Sequence, residues 1–324
     1  MAQLLHSGSV KDIYSYSDNE LLFRFSDRYS IFDWGTMPDL IQGKGEALAK
    51  MGAFFFEELQ ALGYKTHYLG KGPSSKDLRV TRVFVPKNNP ELYETKPVNT
   101  LIPLEVIFRL GVPKGSSLIR RLTNDESWVQ AGYSRRYSED EFFDRMHLDY
   151  TTKLEPLDRP LSHEEARKLA CMSDSEWAKL EQTTQGIAEY LKNRFASLDL
   201  TLWDGKFEFA FGPNREIVLV DSIGIDELRL TYQNKPYSKE ILRQHYITSD
   251  WYRDLVKAKA LDSVNFRALC REQYRSEPVP LSPEKQKAIS MLYVCLAELL
   301  VHPEKKATLQ LEISSAFQAL GGSP

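Results

Sequence analysis

The order of apolar and polar positions divides the chain into short strands at the front, a hairpin near the middle and helices toward the end. Residues 4 to 33 read as a β-meander, in which the runs Ile13 to Tyr16 and Leu21 to Phe25 are set off by the turns His6 to Asp12 and Ser17 to Glu20. Helical spacing follows from Glu46 to Leu62 around a Phe54-Phe55-Phe56 core. Residues 70 to 77 read as loop. Leu78 to Pro86 and Thr100 to Leu110 read as strands joined by a Pro/Asn-rich connection, and residues 122 to 150 show no assignable period. Capping boxes at Ser162-His163-Glu164-Glu165 and Ser173-Asp174-Ser175-Glu176 predict helix starts, the second helix reaching Leu198. Tyr237-Ser238-Lys239-Glu240 opens another helix. Ser282, with Pro283 at the first helical position, opens one that reaches Val301. C-terminal helices are expected over 282–319, with a less ordered tail after Ala319.

Leu202 to Leu230 organises the rest. Lys206 to Ala210 alternates polar and apolar, Gly212-Pro213-Asn214-Arg215 is turn chemistry, and Ile217 to Val220 is an apolar strand ending on Asp221. Paired as a hairpin, these runs bring Glu208 and Asp221 together on one face. Two carboxylates there repel unless a cation sits between them. Their oxygens suit Mg²⁺, which keeps waters and takes further ligands from phosphates. An exposed charged pair on an ordinary hairpin is the competing reading.

Composition narrows the class. The chain has 324 residues, 42% hydrophobic and 27% charged, as in an ordinary globular protein with two lobes or subdomains. A net charge of -3 gives no argument for nucleic-acid binding. Cys171, Cys270 and Cys295 lack metal-type spacing, and a reducing cytoplasm is expected. No signal peptide, internal repeat or apolar run near the ~18 residues of a membrane span is found.

Smaller motifs suggest anion chemistry. In Gly8-Ser9-Val10-Lys11, small residues let backbone N–H groups approach a phosphate and Lys11 adds a charge, although GxxxxGK[ST] is absent. Lys44, between glycines at a helix start, is a second anion-site candidate, against a solvated loop lysine. Glu105 and Arg109 lie in so apolar a strand that each should be paired or face a site. Gly115-Ser116-Ser117 followed by Arg120-Arg121 suits a phosphate monoester, or else is a helix cap with a basic turn.

Taken together, GSVKDIY, SDRYSIFD, IQGKG, IPLEVIFR, GSSLIRR, TTK, DGKFEF, IVLVDSIGIDELRL and YSKEILRQ, in this order over residues 5 to 252, resemble the SAICAR synthetase family. The resemblance implies a two-lobed α+β fold of ATP-grasp or kinase-like architecture, with the ATP site between the lobes. It divides the chain into a β-rich lobe over 1–110 and a larger α+β lobe over 111–324. It implies an ATP-dependent ligase of de novo purine biosynthesis that uses Mg²⁺. The substrates would be carboxyaminoimidazole ribonucleotide (CAIR) and L-aspartate, joined through an acyl phosphate to give SAICAR, ADP and phosphate. By the same resemblance, Gly8, Ser9, Lys11, Lys206, Glu208 and Asp221 meet ATP, with Glu208 and Asp221 also holding the metal. Arg109, Ser116 and Arg121 hold the ribonucleotide. Asp33 and Lys44 line the site, Lys153 and Asp158 match a loop over the substrate, and Asp226 and Arg229 lie beyond the second carboxylate.

The chain departs from the family pattern in four places and runs past the usual end. Asp221-Ser222 stands where Asp-Glu is usual, Leu157-Asp158 replaces a His-Asp pair, Gly224 to Leu230 lacks the usual Trp, and Gly111 to Ser117 is longer. A divergent ligase acting on another carboxylate or amine, or a non-catalytic nucleotide-binding homologue, are the alternative readings. Membrane and nucleic-acid partners are not expected, and a homodimer is left open.

Overall fold

The computed structural model describes residues 3–86, 89–155 and 157–321. Alternating runs broken by turns build the first sheet. It comprises β1 (Gln3–Ser7), β2 (Lys11–Ser15), β3 (Glu20–Phe25), β4 (Tyr68–Lys71) and β5 (Asp77–Thr81), antiparallel in the order β1-β2-β3-β5-β4. The helix α1 (Lys44–Ala61) packs against β3, β4 and β5 and buries Phe55 and Phe56. The meander ends at Phe25 rather than at residue 33, because the next side chains tie other segments together. Ser26 Oγ donates to Val10 O at 2.7 Å, Gly45 N donates to Asp27 Oδ1 at 2.9 Å, and Arg28 Nη2 donates to Gly8 O at 3.0 Å. The strand expected to reach Pro86 stops at Thr81, while part of the 70–77 loop is strand β4.

The second sheet contains β6 (Thr100–Val112), β7 (Glu141–Thr152), β8 (Pro160–Leu161), β9 (Leu200–Phe211), β10 (Ile217–Val220), β11 (Leu228–Tyr232) and β12 (Lys235–Pro236). Its order is β12-β11-β9-β6-β7-β8, with β10 also on β9. β7 lies in the stretch that sequence left unassigned, beside the short helices α2 (Ser117–Arg121) and α3 (Asp125–Gln130). The last strand of the first sheet ends at Thr81, and the second sheet begins with β6 at Thr100. β9 is long enough to hold β11 against Leu200 to Gly205 and β10 against Glu208 to Phe211. Residues 221–227 therefore leave the sheet as an arch between the ends of β10 and β11.

Both predicted capping boxes form, at α4 (His163–Leu169) and α5 (Asp174–Ala196). After them come α6 (Glu240–Tyr246), α7 (Asp250–Leu261), α8 (Phe266–Glu272), α9 (Pro283–Val301) and α10 (Lys306–Ala319). Ser282 caps α9 through Lys285 N, as the Ser-Pro signal implies. Leu320 and Gly321 follow α10, and the rest of the expected tail lies outside the described residues.

The lobes share one apolar cluster, and backbone bonds join them at β10. His67 N donates to Leu219 O at 3.0 Å, and Leu219 N to Lys65 O at 2.9 Å. Gly45 marks another close approach: a Cβ there would lie 2.7 Å from the backbone oxygen of Phe25. Gly45→Ala is expected to cost about 1–3 kcal/mol of stability, read as a lower urea midpoint with unchanged m-value. An unchanged midpoint would show that α1 can shift away from β3.

Candidate active site

Strand register gathers the chemistry on one face. Along β6, Glu105, Ile107 and Arg109 stand opposite Thr151, Asp149 and His147 of β7. Across the other edge they face Glu208, Lys206 and Asp204 of β9. Directly opposed residues share a face and alternate residues repeat it, so these positions form a single polar surface. The intervening residues Leu104, Val106 and Phe108 are buried in the core on the opposite face.

At one end of this surface, Glu105 lies directly across from Glu208, a repulsive pairing of two buried carboxylates. Two ammonium groups compensate. Lys153 Nζ reaches Glu208 Oε1 at 2.7 Å and Glu105 Oε1 at 3.2 Å, while Lys206 Nζ reaches Glu105 Oε1 at 2.6 Å. Burial raises the Glu105 carboxyl, but Lys206 and Lys153 outweigh it and hold the group below its usual range. Burial and the charge of Asp221 instead push Glu208 up, against the pull of Lys153 and Lys206.

Asp221 reaches this group by a route that period-two alternation does not supply. Val220, not Asp221, is the register partner of Glu208, so a regular strand would send the Asp221 side chain to the other face. The strand ends instead, with Asp221 in the left-handed region at φ 68°. Its carboxylate pairs with Lys11 Nζ of the first sheet, and its carbonyl contacts His67 Nε2 at 3.1 Å. Burial raises the Asp221 carboxyl, but the Lys11 charge outweighs it and leaves it lowered. Further along the arch, Ser222 Oγ accepts from Lys11 Nζ at 3.5 Å and donates to Glu227 Oε1 at 3.1 Å. Burial, then the charges of Asp226 and Asp221, push the Glu227 carboxyl up to about 7.

At the other end of the surface, three guanidinium groups surround two carboxylates. Arg109 Nε donates to Asp149 Oδ2 at 2.6 Å and Nη1 to Asp204 Oδ2 at 3.3 Å. Arg121 Nη2 reaches Asp149 Oδ2 at 3.3 Å, and Arg229 Nη1 lies 3.5 Å from Asp204 Oδ2. His147 Nε2 is 3.3 Å from Asp149 Oδ1, and its ring stacks on Tyr133. Burial raises the Asp149 carboxyl, but His147 and Arg109 bring it well below the usual range.

The other expected site residues are placed differently. The Gly8-Ser9 turn closes through Gly8 N to Lys11 O at 2.9 Å. Ser116 is buried as the N-cap of α2, where its Oγ accepts from Leu118 N, so the cap reading of that turn holds for its hydroxyl. Lys44 is fully buried and pairs with Asp226 at 2.8 Å, and Tyr293 of α9 donates to the same carboxylate at 2.6 Å. Asp33, beside Phe32 and like it left-handed, is exposed and pairs with Lys259 at 2.7 Å. Asp158 lies in the loop after Lys153, where partial burial and then the charge of Glu105 raise its carboxyl. Asp149, Asp204, His147 and Glu227 were not anticipated as site residues. The alternation His147-Leu148-Asp149-Tyr150-Thr151 carried a strand signal within the unassigned stretch.

The family model for SAICAR synthetase matches residues 4–258. The chain belongs to the SAICAR synthetase family. A protein of Archaeoglobus fulgidus provisionally named phosphoribosylaminoimidazole-succinocarboxamide synthase is 34% identical over 310 residues, covering 88% of this chain and 91% of the relative. Two solved structures share the fold. SAICAR synthase of Saccharomyces cerevisiae complexed with SAICAR has a TM-score of 0.61 at 20% identity, covering 99% of this chain and 95% of that one. A SAICAR synthetase in complex with ADP has a TM-score of 0.60 at 23% identity, covering 85% and 99%.

For a SAICAR synthetase, the donor set suits a cation carried in by a nucleotide better than a preformed metal cage. Among the described residues no three of His, Cys, Asp and Glu converge on one point. Mg²⁺ beside phosphates needs only one or two protein carboxylates, a number that Glu208 and Asp221 would meet, with a buried unpaired oxygen at Glu227 nearby.

Proposed function

We infer that this chain carries out the ligation for which its family is named, with the polar face of the second sheet as its active site. It is an ATP-dependent, amide-forming ligase that joins CAIR to L-aspartate and yields SAICAR, ADP and phosphate in purine biosynthesis. A carboxylate acylates poorly because oxide is its leaving group. Transfer of the ATP γ-phosphoryl group to the CAIR carboxylate makes an acyl phosphate, and the aspartate amine then displaces phosphate. Such chemistry requires positioning and charge neutralisation rather than a protein nucleophile.

The single observation that carries the site assignment is the pairing of Lys11 with Asp221, which joins the two sheets at the end of the polar face. In this reading Lys11 and Lys206 meet the nucleotide phosphates, Glu208 and Asp221 hold Mg²⁺, and Lys153 keeps Glu105 and Glu208 compatible. Bound Mg²⁺ would supply charge neutralisation at the phosphates. Arg109, Arg121 and Arg229 form the anion-binding end for the ribonucleotide, with Asp149 and Asp204 fixing the guanidinium planes. The cytoplasm is the compartment that fits these substrates. The reaction is tested by ADP release with CAIR and aspartate together, compared with either alone. Release that does not depend on aspartate would point to a different acceptor.

The anion-binding end makes a separate prediction. Arg121 is more exposed than Arg109 and meets Asp149 at 3.3 Å, against 2.6 Å for Arg109. Arg121→Ala is expected to raise the KM for CAIR by about 10–100-fold, the loss of one charge-assisted contact, with little change in the KM for ATP. An equal rise in both would move Arg121 away from the ribonucleotide.

A further inference from the structure

Glu227 is held by three contacts that leave one carboxylate oxygen without a partner. Its N donates to Gly224 O at 3.2 Å, its O accepts from Lys206 N at 3.1 Å, and its Oε1 accepts from Ser222 Oγ at 3.1 Å. Oε2 is closed off from solvent and has no hydrogen-bond partner among the described residues. A buried carboxylate oxygen left unpaired is costly, so its retention calls for a reason. The groups whose charges act on this carboxyl are Asp226, Asp221, Lys11 and Lys239. Lys11 is already committed to Asp221 and Ser222. Asp226 is committed to Lys44 and Tyr293.

The arch accounts for the placement. Asp221 and Glu227 are the two ends of the segment that leaves the edge of β9. The bond from Lys206 N to Glu227 O pins the far end beside the lysine that pairs with Glu105. Ser222, next to Asp221, then ties the Glu227 carboxyl back toward the near end. A second acidic group thus stands behind Asp221, tethered through a hydroxyl.

We propose that Glu227 is a positioning residue for the nucleotide-borne cation: its carboxylate stands behind Asp221 as a second negative charge, and Ser222 holds it there. The proposal rests on the reading that Glu208 and Asp221 flank the cation. It also alters the meaning of the serine at position 222. A carboxylate placed there would crowd Glu227 in a buried pocket, so Ser222→Glu alone is expected to weaken cation binding rather than strengthen it.

The test uses the full chain with ADP, titrated with Mn²⁺ and read as bound and free metal by electron paramagnetic resonance. Glu227→Gln keeps the shape and an acceptor for Ser222 but removes the charge. It is expected to weaken Mn²⁺ binding by about tenfold, roughly 1.4 kcal/mol, with ADP affinity in the absence of metal unchanged. Ser222→Ala, which frees the carboxyl from its tether, is expected to weaken binding in the same direction and serves if Glu227→Gln does not fold. Asp221→Asn is the control. If it weakens Mn²⁺ binding while Glu227→Gln and Ser222→Ala do not, the role of Glu227 is overturned and the metal site stands. If Asp221→Asn also leaves binding intact, the metal assignment itself fails.

Discussion

Asp221→Asn is expected to leave a folded protein that has lost most of its turnover. The backbone at Asp221 is left-handed, a conformation Asn tolerates better than almost any other residue with a side chain. The change therefore removes a charge without straining the arch. Lys11 loses its ion-pair partner but keeps the Ser222 hydroxyl and the faces of Phe23 and Phe25. Removal of a preorganised charged group at a phosphoryl-transfer site costs on the order of 10²–10³ in kcat. Steady-state ADP release at limiting Mg²⁺, with thermal melting alongside, measures both parts of the expectation. Turnover close to wild type under those conditions would remove Asp221 from the reaction.

Arg109→Met is expected to damage stability as well as activity. Arg109 is the shared partner of Asp149 on β7 and Asp204 on β9, all of them largely buried. The guanidinium stands on the strand between the two carboxylates, and burial disfavours its charge less than they favour it, so it is held above its usual range. Methionine fills the volume but leaves both acids short of a cation, with Arg121, Arg229 and His147 left beside them. Breaking such a buried group by removing one member costs about 3–5 kcal/mol, read in urea unfolding. Arg109→Lys should not restore the loss, because one ammonium cannot present the planar fork that reaches acids on two strands. Full rescue by lysine would show that charge alone, and not the fork, holds the cluster.

Local signals set much of the chain. The Ser-x-x-Glu boxes at Ser162 and Ser173 and the Ser282-Pro283 cap place helix starts because they satisfy backbone donors within one turn. The turn at 212–215 and its flanking alternation likewise determine the β9–β10 hairpin. The short motifs, in order along the chain, are sufficient to identify the family. The apolar strand β6 announced that Glu105 and Arg109 needed partners, though not which ones.

Tertiary structure decided the remainder. The partners Lys153, Lys206, Asp149 and Asp204 come from other strands, and register alone says which of them stand opposite. Strand β7 was hidden in sequence because its outer end is polar and aromatic, while its inner end carries site residues in place of a regular apolar stripe. The meander stopped early because Ser26, Asp27 and Arg28 bond to distant backbone, a choice no local propensity encodes. Lys44 looked like an anion site from its glycines, yet packing of α1 against α9 buries it with Asp226 and Tyr293. Asp221 reaches the polar face only through its left-handed backbone, which the end of β10 and the pull of Lys11 determine together. Sequence by itself determined those elements whose caps, turns and alternation are local, because such signals depend only on neighbours along the chain. The site belongs to the fold, because Lys11, Arg109, Lys153 and Lys206 find their carboxylate partners far away in sequence.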